Sequence, residues 1–383
     1  MKCAIIGSGK IGTALASRFA GKNVEAVIAN SRGQFACVFA LLVLSVLPAF
    51  AADAAKSQLV AREIESKSFV NNQIGVSPVR KLVVYLPPGY DKETRRYPVV
   101  YFLPSPRDTS FRAIFDEKDA QDVLNRAVAT GTIGKFIFVV VDMTTPLGCS
   151  WYVNSPVTGN WEDFMVQELV SYIDANFRTL PTRDSRGIVG HSSGGYGAIR
   201  FGMKYPQVFG AVYAMHPLGL GSGATTILAG LPNWELMEKA KTLEDVKADV
   251  PSTIFTSIFQ AHVPDASHPP LYVEFPAHRV EGKLVIDANV MDRMRNSFFL
   301  ESLIGQYADN LKTLRGFKFD WARSDQEHVY NSLAFTHKLN EYGIVHEAEE
   351  YSGTWSDDPY WGVDGRVTTD VLPFFQQHLV FSN

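Results

Sequence analysis

The chain has 383 residues, 46% hydrophobic and 20% charged, which suits one large α/β domain or two smaller ones with a sizeable core. A formal net charge of −4, with no cluster of Lys and Arg, gives no electrostatic footprint for nucleic acid or an anionic membrane surface, so a small neutral or weakly charged partner is expected. Its three cysteines, Cys3, Cys37 and Cys149, form no Cys/His ligand spacing, and no structural metal is expected.

In chain order, Ala4-Ile5-Ile6 reads as a short buried strand, Gly7-Ser8-Gly9-Lys10-Ile11-Gly12 as a glycine-rich helix start, and Val24 to Ala29 as a second strand. Gly7, Gly9 and Gly12 have the spacing that lets a pyrophosphate approach a helix N-terminus, and Asn30-Ser31-Arg32, where an acid is usual, would suit a 2′-phosphate. This stretch resembles the N-terminus of the deazaflavin-dependent NADP reductases, which implies an NADP-dependent oxidoreductase as one reading. However, about thirty residues cannot close a cofactor crevice alone. Residues 1–33 are therefore expected to be a truncated dinucleotide-binding-like segment, from a fusion or a misassigned start, and no cofactor is expected.

Residues 34–51 read as a secretory signal: an apolar run from Phe35 to Leu47, too short for a stable membrane span, followed by the small-x-small pattern Ala49-Phe50-Ala51. A secreted or periplasmic protein starting near Ala52 is expected, with Cys149 as its lone thiol. A buried core helix at Phe35 to Leu47 is the alternative.

Residues 52–78 are expected to be a linker and N-terminal extension, polar around Lys56 to Ser66. Strand patterns follow at Leu82 to Leu86, Val99 to Leu103 and Phe136 to Val141, with a helical pattern at Glu117 to Thr130 between the last two. Such alternation predicts a mainly parallel sheet wrapped by helices. Asn160, with Asp163 three residues on, is set to cap a helix whose inner face is Trp161, Phe164, Met165, Leu169, Tyr172 and Ile173.

Gly190-His191-Ser192-Ser193-Gly194 then stands between the apolar run Gly187-Ile188-Val189 and a helix-like stretch from Tyr196 to Lys204. A serine nucleophile is displayed at such a sharp strand-to-helix turn, with glycines where two backbones must approach. Val208 to Met215 is the next strand. The segment 217–312 reads as an irregular insertion with a helix at Ala288 to Tyr307, suited to a cap or pocket wall. Phe317 to Asp320, a helix at Val329 to Tyr342, the strand Glu347 to Tyr351 and a closing helix with Val371, Leu372, Phe374, Phe375 and Leu379 inward complete the domain at 79–383.

Five stretches carry a family resemblance: Val84-Tyr85-Leu86-Pro87-Pro88-Gly89-Tyr90, Tyr97-Pro98-Val99-Val100-Tyr101, Tyr172 to Thr179, the serine turn, and Leu372-Pro373-Phe374-Phe375. From Val79 to Leu379 the chain resembles the esterase D-like α/β-hydrolases, which include feruloyl and acetyl esterases, S-formylglutathione hydrolases, enterochelin esterases and mycolyltransferases. The resemblance implies an α/β-hydrolase fold, Ser192 as nucleophile, the Ser193 amide as an oxyanion donor and Asp325 as the acid.

Two positions depart from the family pattern. Pro104-Ser105-Pro106 replaces the usual His-Gly or Asp-Gly, and a proline at the second donor position has no N–H; the amides of Ser105 or Arg107 are the substitutes if the loop is shifted. Trp355 stands at the expected histidine position, and indole is a donor only, unable to take a proton from serine. His191, His328 and His346 read as structural or solvent-facing.

Three functions are therefore in play. The first is a secreted serine carboxylesterase acting on acyl esters, weakened or using a shifted histidine. The second is an inactive α/β-hydrolase-fold protein whose site, closed by Trp355, binds a small ligand. The NADP oxidoreductase is the third.

Overall fold

The computed structural model describes residues 2–6, 25–29, 35–36, 56–105, 110–221, 232–354 and 360–382. It divides into two units, Met1–Asp53 and Ala54–Asn383. In the first, Lys2–Ile6 pairs in parallel with Glu25–Ala29, which pairs antiparallel with Phe35–Ala36. Gly7, Gly9, Gly12, Asn30-Ser31-Arg32, the rest of the apolar run and the Ala49-Phe50-Ala51 pattern lie outside the described residues.

The second unit is built on eight strands: β1 (Gln58–Glu65), β2 (Val79–Leu86), β3 (Val99–Leu103), β4 (Ile137–Val141), β5 (Arg186–His191), β6 (Ala211–Met215), β7 (Gly316–Ala322) and β8 (Glu347–Tyr351). Their order across the sheet is β8-β7-β6-β5-β3-β4-β2-β1. β2 is antiparallel to both neighbours and every pairing from β4 to β8 is parallel. This is the α/β-hydrolase arrangement that the sequence resemblance implies.

The stretch read as a polar linker around Lys56 to Ser66 is instead mostly β1. It is an edge strand held by its backbone to β2, and Ile64 alone among its residues is buried, so its apolar alternation is too weak to announce it.

Alternation in the central strands divides the core. Val99, Tyr101, Leu103, Ile137, Val139, Ile188, Val212 and Phe319 face one layer, while Val100, Phe102, Phe138, Val140, Val189 and Tyr213 face the other. The second layer is closed by helix α1 (Ala120–Thr130), through Val123, Leu124 and Ala127, and by α9 (Leu372–His378), through Phe374 and Phe375. The first is closed by α2, which runs as Trp161–Asp163, a π-helical Phe164–Leu169 and Val170–Asn176, and by α3 (Ser193–Lys204). Asn160 sits at the N-cap of α2 without using its side chain; Asn154 Oδ1 accepts from the Glu162 and Asp163 amides in its place.

The insertion is more regular than its sequence suggests. It holds α4 (Trp234–Lys239), α5 (Val250–His262), a hairpin of Ala277–Val280 with Lys283–Ile286, α6 (Ala288–Phe298) and α7 (Leu300–Lys312). The single helix expected at Ala288 to Tyr307 is broken at Phe299, whose backbone is extended, and the Leu300 amide then donates to Gly219 O at 3.0 Å. No glycine or proline marks the break, which depends on that tertiary hydrogen bond. Buried polar bonds fuse α3 to the insertion: Arg200 Nη1 donates to Ser297 O (2.8 Å), Tyr196 Oη meets His262 Nε2 (3.3 Å), and His262 Nδ1 meets Ser297 Oγ (2.8 Å). Among the described residues no helix is long and apolar enough to cross a membrane.

Candidate active site

The turn from β5 into α3 is fixed by contact between backbones. Ser192 has φ 58° and ψ −117°, a conformation costly for a residue with a Cβ. A Cβ on Gly190 would lie 2.3 Å from the Gly194 carbonyl carbon, and one on Gly194 would lie 2.1 Å from Leu103 O. Both positions therefore require glycine. The Ser192 amide donates to Met215 O (2.9 Å), and Ser192 O accepts from the Tyr196 and Leu218 amides. Ser192 thus stands at the head of α3, where leading amides and the helix dipole favour negative charge, and Ser193 supplies the first of those amides.

Strain is concentrated at this end of the sheet. Of the seven non-glycine residues with positive φ among the described residues, Trp151, Ser192 and His216 line one cavity. The cavity has a volume of about 820 Å³, and Leu147, Trp151, Leu218, Val250 and Ile254 give it a mainly apolar wall. Ser192, Ser193, His216 and His328 also line it. Trp151 is fixed by Nε1 donating to Ser257 Oγ (2.9 Å), and Tyr152 Oη donates to Pro104 O (2.6 Å). Cys149 is free and buried in the same wall, where burial pushes its thiol up to about 11, far from a thiolate at neutral pH.

Asp325 follows β7 at the N-cap of α8 (Gln326–Glu341), yet its side chain caps no amide of that helix. Aspartate at this position normally accepts from the second or third helical N–H. Here Oδ2 lies 3.0 Å from His328 Nδ1 and 3.3 Å from His216 Nε2. The carboxylate has exchanged its capping role for two imidazoles.

The two rings are not equivalent. A carboxylate only accepts, so the His328 bond puts the proton on Nδ1 and the lone pair on Nε2. In His216 the Ala322 amide donates to Nδ1 (3.2 Å), so the proton sits on Nε2, facing Asp325 in a dipolar contact rather than an aligned hydrogen bond. Burial, with smaller contributions from His328 and His191, pushes His216 down to about 2, and the ring is neutral across the working range. His216, Asp325 and His328 bring three donor atoms within 4.8 Å of one another, the number a zinc site needs. With its proton on Nε2, His216 presents no lone pair toward Asp325, so this tautomer is not prepared for a cation.

A second acid, Asp320 on β7, is fully buried and serves the backbone. Its carboxylate accepts from His216 N (3.0 Å), Tyr213 Oη (2.9 Å) and Arg366 Nε (2.9 Å). Burial raises its carboxyl above the ordinary range against the pull of Arg366.

His191 and His346 stand outside the cavity wall. His191 stacks on Tyr360, with ring centroids 4.5 Å apart, and His346 stacks on Phe319 and places Nδ1 2.9 Å from Ile344 O. His328, read as structural or solvent-facing, instead lines the cavity, because α8 starts directly after Asp325 and turns its first ring inward. His216 escaped the sequence reading altogether. Its signal was its place one residue beyond a predicted strand, since parallel sheets bind ligands outside the carboxyl ends of their strands. Trp355, Pro106 and Arg107 lie outside the described residues.

An eight-stranded sheet with a strained serine at the β5–α3 turn and an acid after β7 defines an α/β-hydrolase. Residues 77–245 match the family model described as putative esterase. Esterase Rv1288 of Mycobacterium tuberculosis is 36% identical over 143 residues, covering 36% of this chain and 28% of its own length. The S-formylglutathione hydrolase of Mus musculus is 28% identical over 172 residues, covering 40% of this chain and 56% of its own length. The chain thus spans less than two thirds of either relative. A solved ferulic acid esterase superposes with a TM-score of 0.55 at 19% identity, covering 85% of this chain and 99% of the other. The fold is that of the α/β-hydrolases, and residues 77–245 are similar to esterases.

Proposed function

We propose that the chain is a serine carboxylesterase in which Ser192 attacks the acyl carbon, His328 is the general base and Asp325 orients it. The observation that carries this reading is the 3.0 Å contact of His328 Nδ1 with Asp325 Oδ2 on the wall of the cavity that holds Ser192. His328 Nε2 takes the Ser192 proton as Oγ bonds to the carbonyl carbon, and the Ser193 amide faces the developing oxyanion. The proton then passes to the leaving alkoxide, and water repeats the sequence on the acyl-enzyme. His216 is unsuited to be the base because its Nε2 carries the proton. The apolar wall favours an acyl ester without charge near the carbonyl. Export, on the strength of the signal-like residues 34–51, is part of the same proposal.

Fluorophosphonate labelling of the full chain tests it. Wild type should be labelled at Ser192, with labelling slowed by at least about 10²-fold in His328→Gln, the usual worth of a positioned base. Unlabelled folded wild type would identify instead a ligand-binding protein with a silent serine, and labelling indifferent to His328 would remove His328 from the mechanism. NADPH should leave the melting temperature unchanged. A saturable rise would reveal a native-state dinucleotide site and revive the oxidoreductase reading.

A further inference from the structure

We propose that His216 is a positioning residue, which holds the Asp325 carboxylate on His328 and away from the amides of α8. The proposal rests on the reading of His328 as the base. Asp325 occupies the N-cap of a 16-residue helix, where an aspartate side chain normally bonds the leading amides. That bond is not made, so something opposes it. His328 alone is a weak opponent, since it rides on the same helix three residues on and its half-buried ring has solvent beside it. Among the described residues, the opposing group from outside the helix is His216.

The amide and both ring nitrogens of His216 are used to aim it. The residue sits just beyond β6 in the left-handed region, with φ 42°. Its amide donates to Asp320 Oδ1, and Asp320 is itself gripped by Tyr213 and Arg366. The Ala322 amide donates to Nδ1, which fixes the tautomer and turns the Nε2–H dipole toward Asp325 Oδ2. The same oxygen receives His328 Nδ1–H. Two N–H dipoles therefore converge on one carboxylate oxygen from two sides, one anchored on the sheet and one on the helix. Among the described residues, the titratable and charged groups around the pair are His216 from the β6 loop, with Asp320 and Arg366 beneath it; His191, from the elbow, is stacked on Tyr360.

The test compares His216→Phe, which keeps ring volume without a donor, with His216→Gln, which keeps an N–H, in the full chain. Thermal melting establishes that each is folded. Histidine NMR titration of His328 reads the geometry without turnover. In His216→Phe the carboxylate should swing to the helix, the His328 pKa should fall by about one unit or more as an adjacent opposite charge is lost, and the downfield Nδ1 proton should disappear. Ester hydrolysis should lose at least about tenfold in kcat with little change in KM, because only the base is disturbed. His216→Gln should recover most of both effects. An unchanged or raised His328 pKa in folded His216→Phe would overturn the proposal, whatever the activity. If His328→Gln retains full labelling while the pKa shift occurs, the catalytic reading fails and the positioning stands.

Discussion

The two halves of the site are made in opposite ways. The serine half is one continuous stretch of chain, β5 through α3, whose shape is enforced by backbone contacts at Gly190 and Gly194. The acid and histidine half is gathered from the ends of β6 and β7 and the head of α8, and side-chain dipoles around one carboxylate oxygen bind it together. The first kind of construction writes itself into the sequence as spacing. The second leaves no such spacing to read, because His216 lies more than a hundred residues before Asp325 and His328.

Substitutions on the two sides should therefore fail differently. Ser192→Ala should remove about 10⁶-fold in kcat toward an activated acetyl ester, and Asp325→Asn about 10⁴-fold, since the ring loses its orienting anion. Parity between the two, measured in one assay, would mean the carboxylate does more than orient. Gly194→Ala should damage the fold itself, as its Cβ meets the rigid Leu103 carbonyl; a loss of several kcal/mol in chemical denaturation is expected, with no folded but inactive state.

The loop after β6 gives a test of opposite sign. Glu301 on α7 accepts from the Gly221 amide, and burial pushes its carboxyl up to about 7 against that bond. Between its ordinary value near 4.5 and 7, the folded chain holds a proton that the unfolded chain has released, so stability falls as pH rises through this window. Glu301→Gln should keep the Gly221 contact and lift the penalty, stabilising the protein by at most about 3 kcal/mol at pH 8 and by nothing near pH 4. Melts at both pH values would decide it; equal gains at both would exclude proton linkage.

The smallest expected effect concerns Trp355. With His328 as base, Trp355→His should change hydrolysis by less than about tenfold. A gain of about 10² to 10⁴-fold would show that the base is absent from the wild type and that a new imidazole has supplied it.

Legibility followed the same division. The central strands and α3 were visible because strands buried on both faces are continuous apolar runs and the elbow needs its glycines. β1 was hidden because an edge strand can be held by hydrogen bonds alone, and the break at Phe299 because it depends on Gly219 far away in sequence. Asp325 was reached through chain order. His328, three residues beyond it, was undervalued because a triad base is sought on the last loop, where this chain has tryptophan.

The buried bonds from α3 to α5 and α6 have a kinetic consequence. Arg200, Tyr196, His262 and Ser297 join the helix headed by Ser192 to the helices that wall the cavity, and these bonds oppose any movement of one against the other. Among the described residues, the wall residues Val250 and Ile254, at 69% and 44% exposure, mark where the cavity meets solvent. On the proposed esterase reading, bulk at these two positions should govern how quickly the acid product leaves.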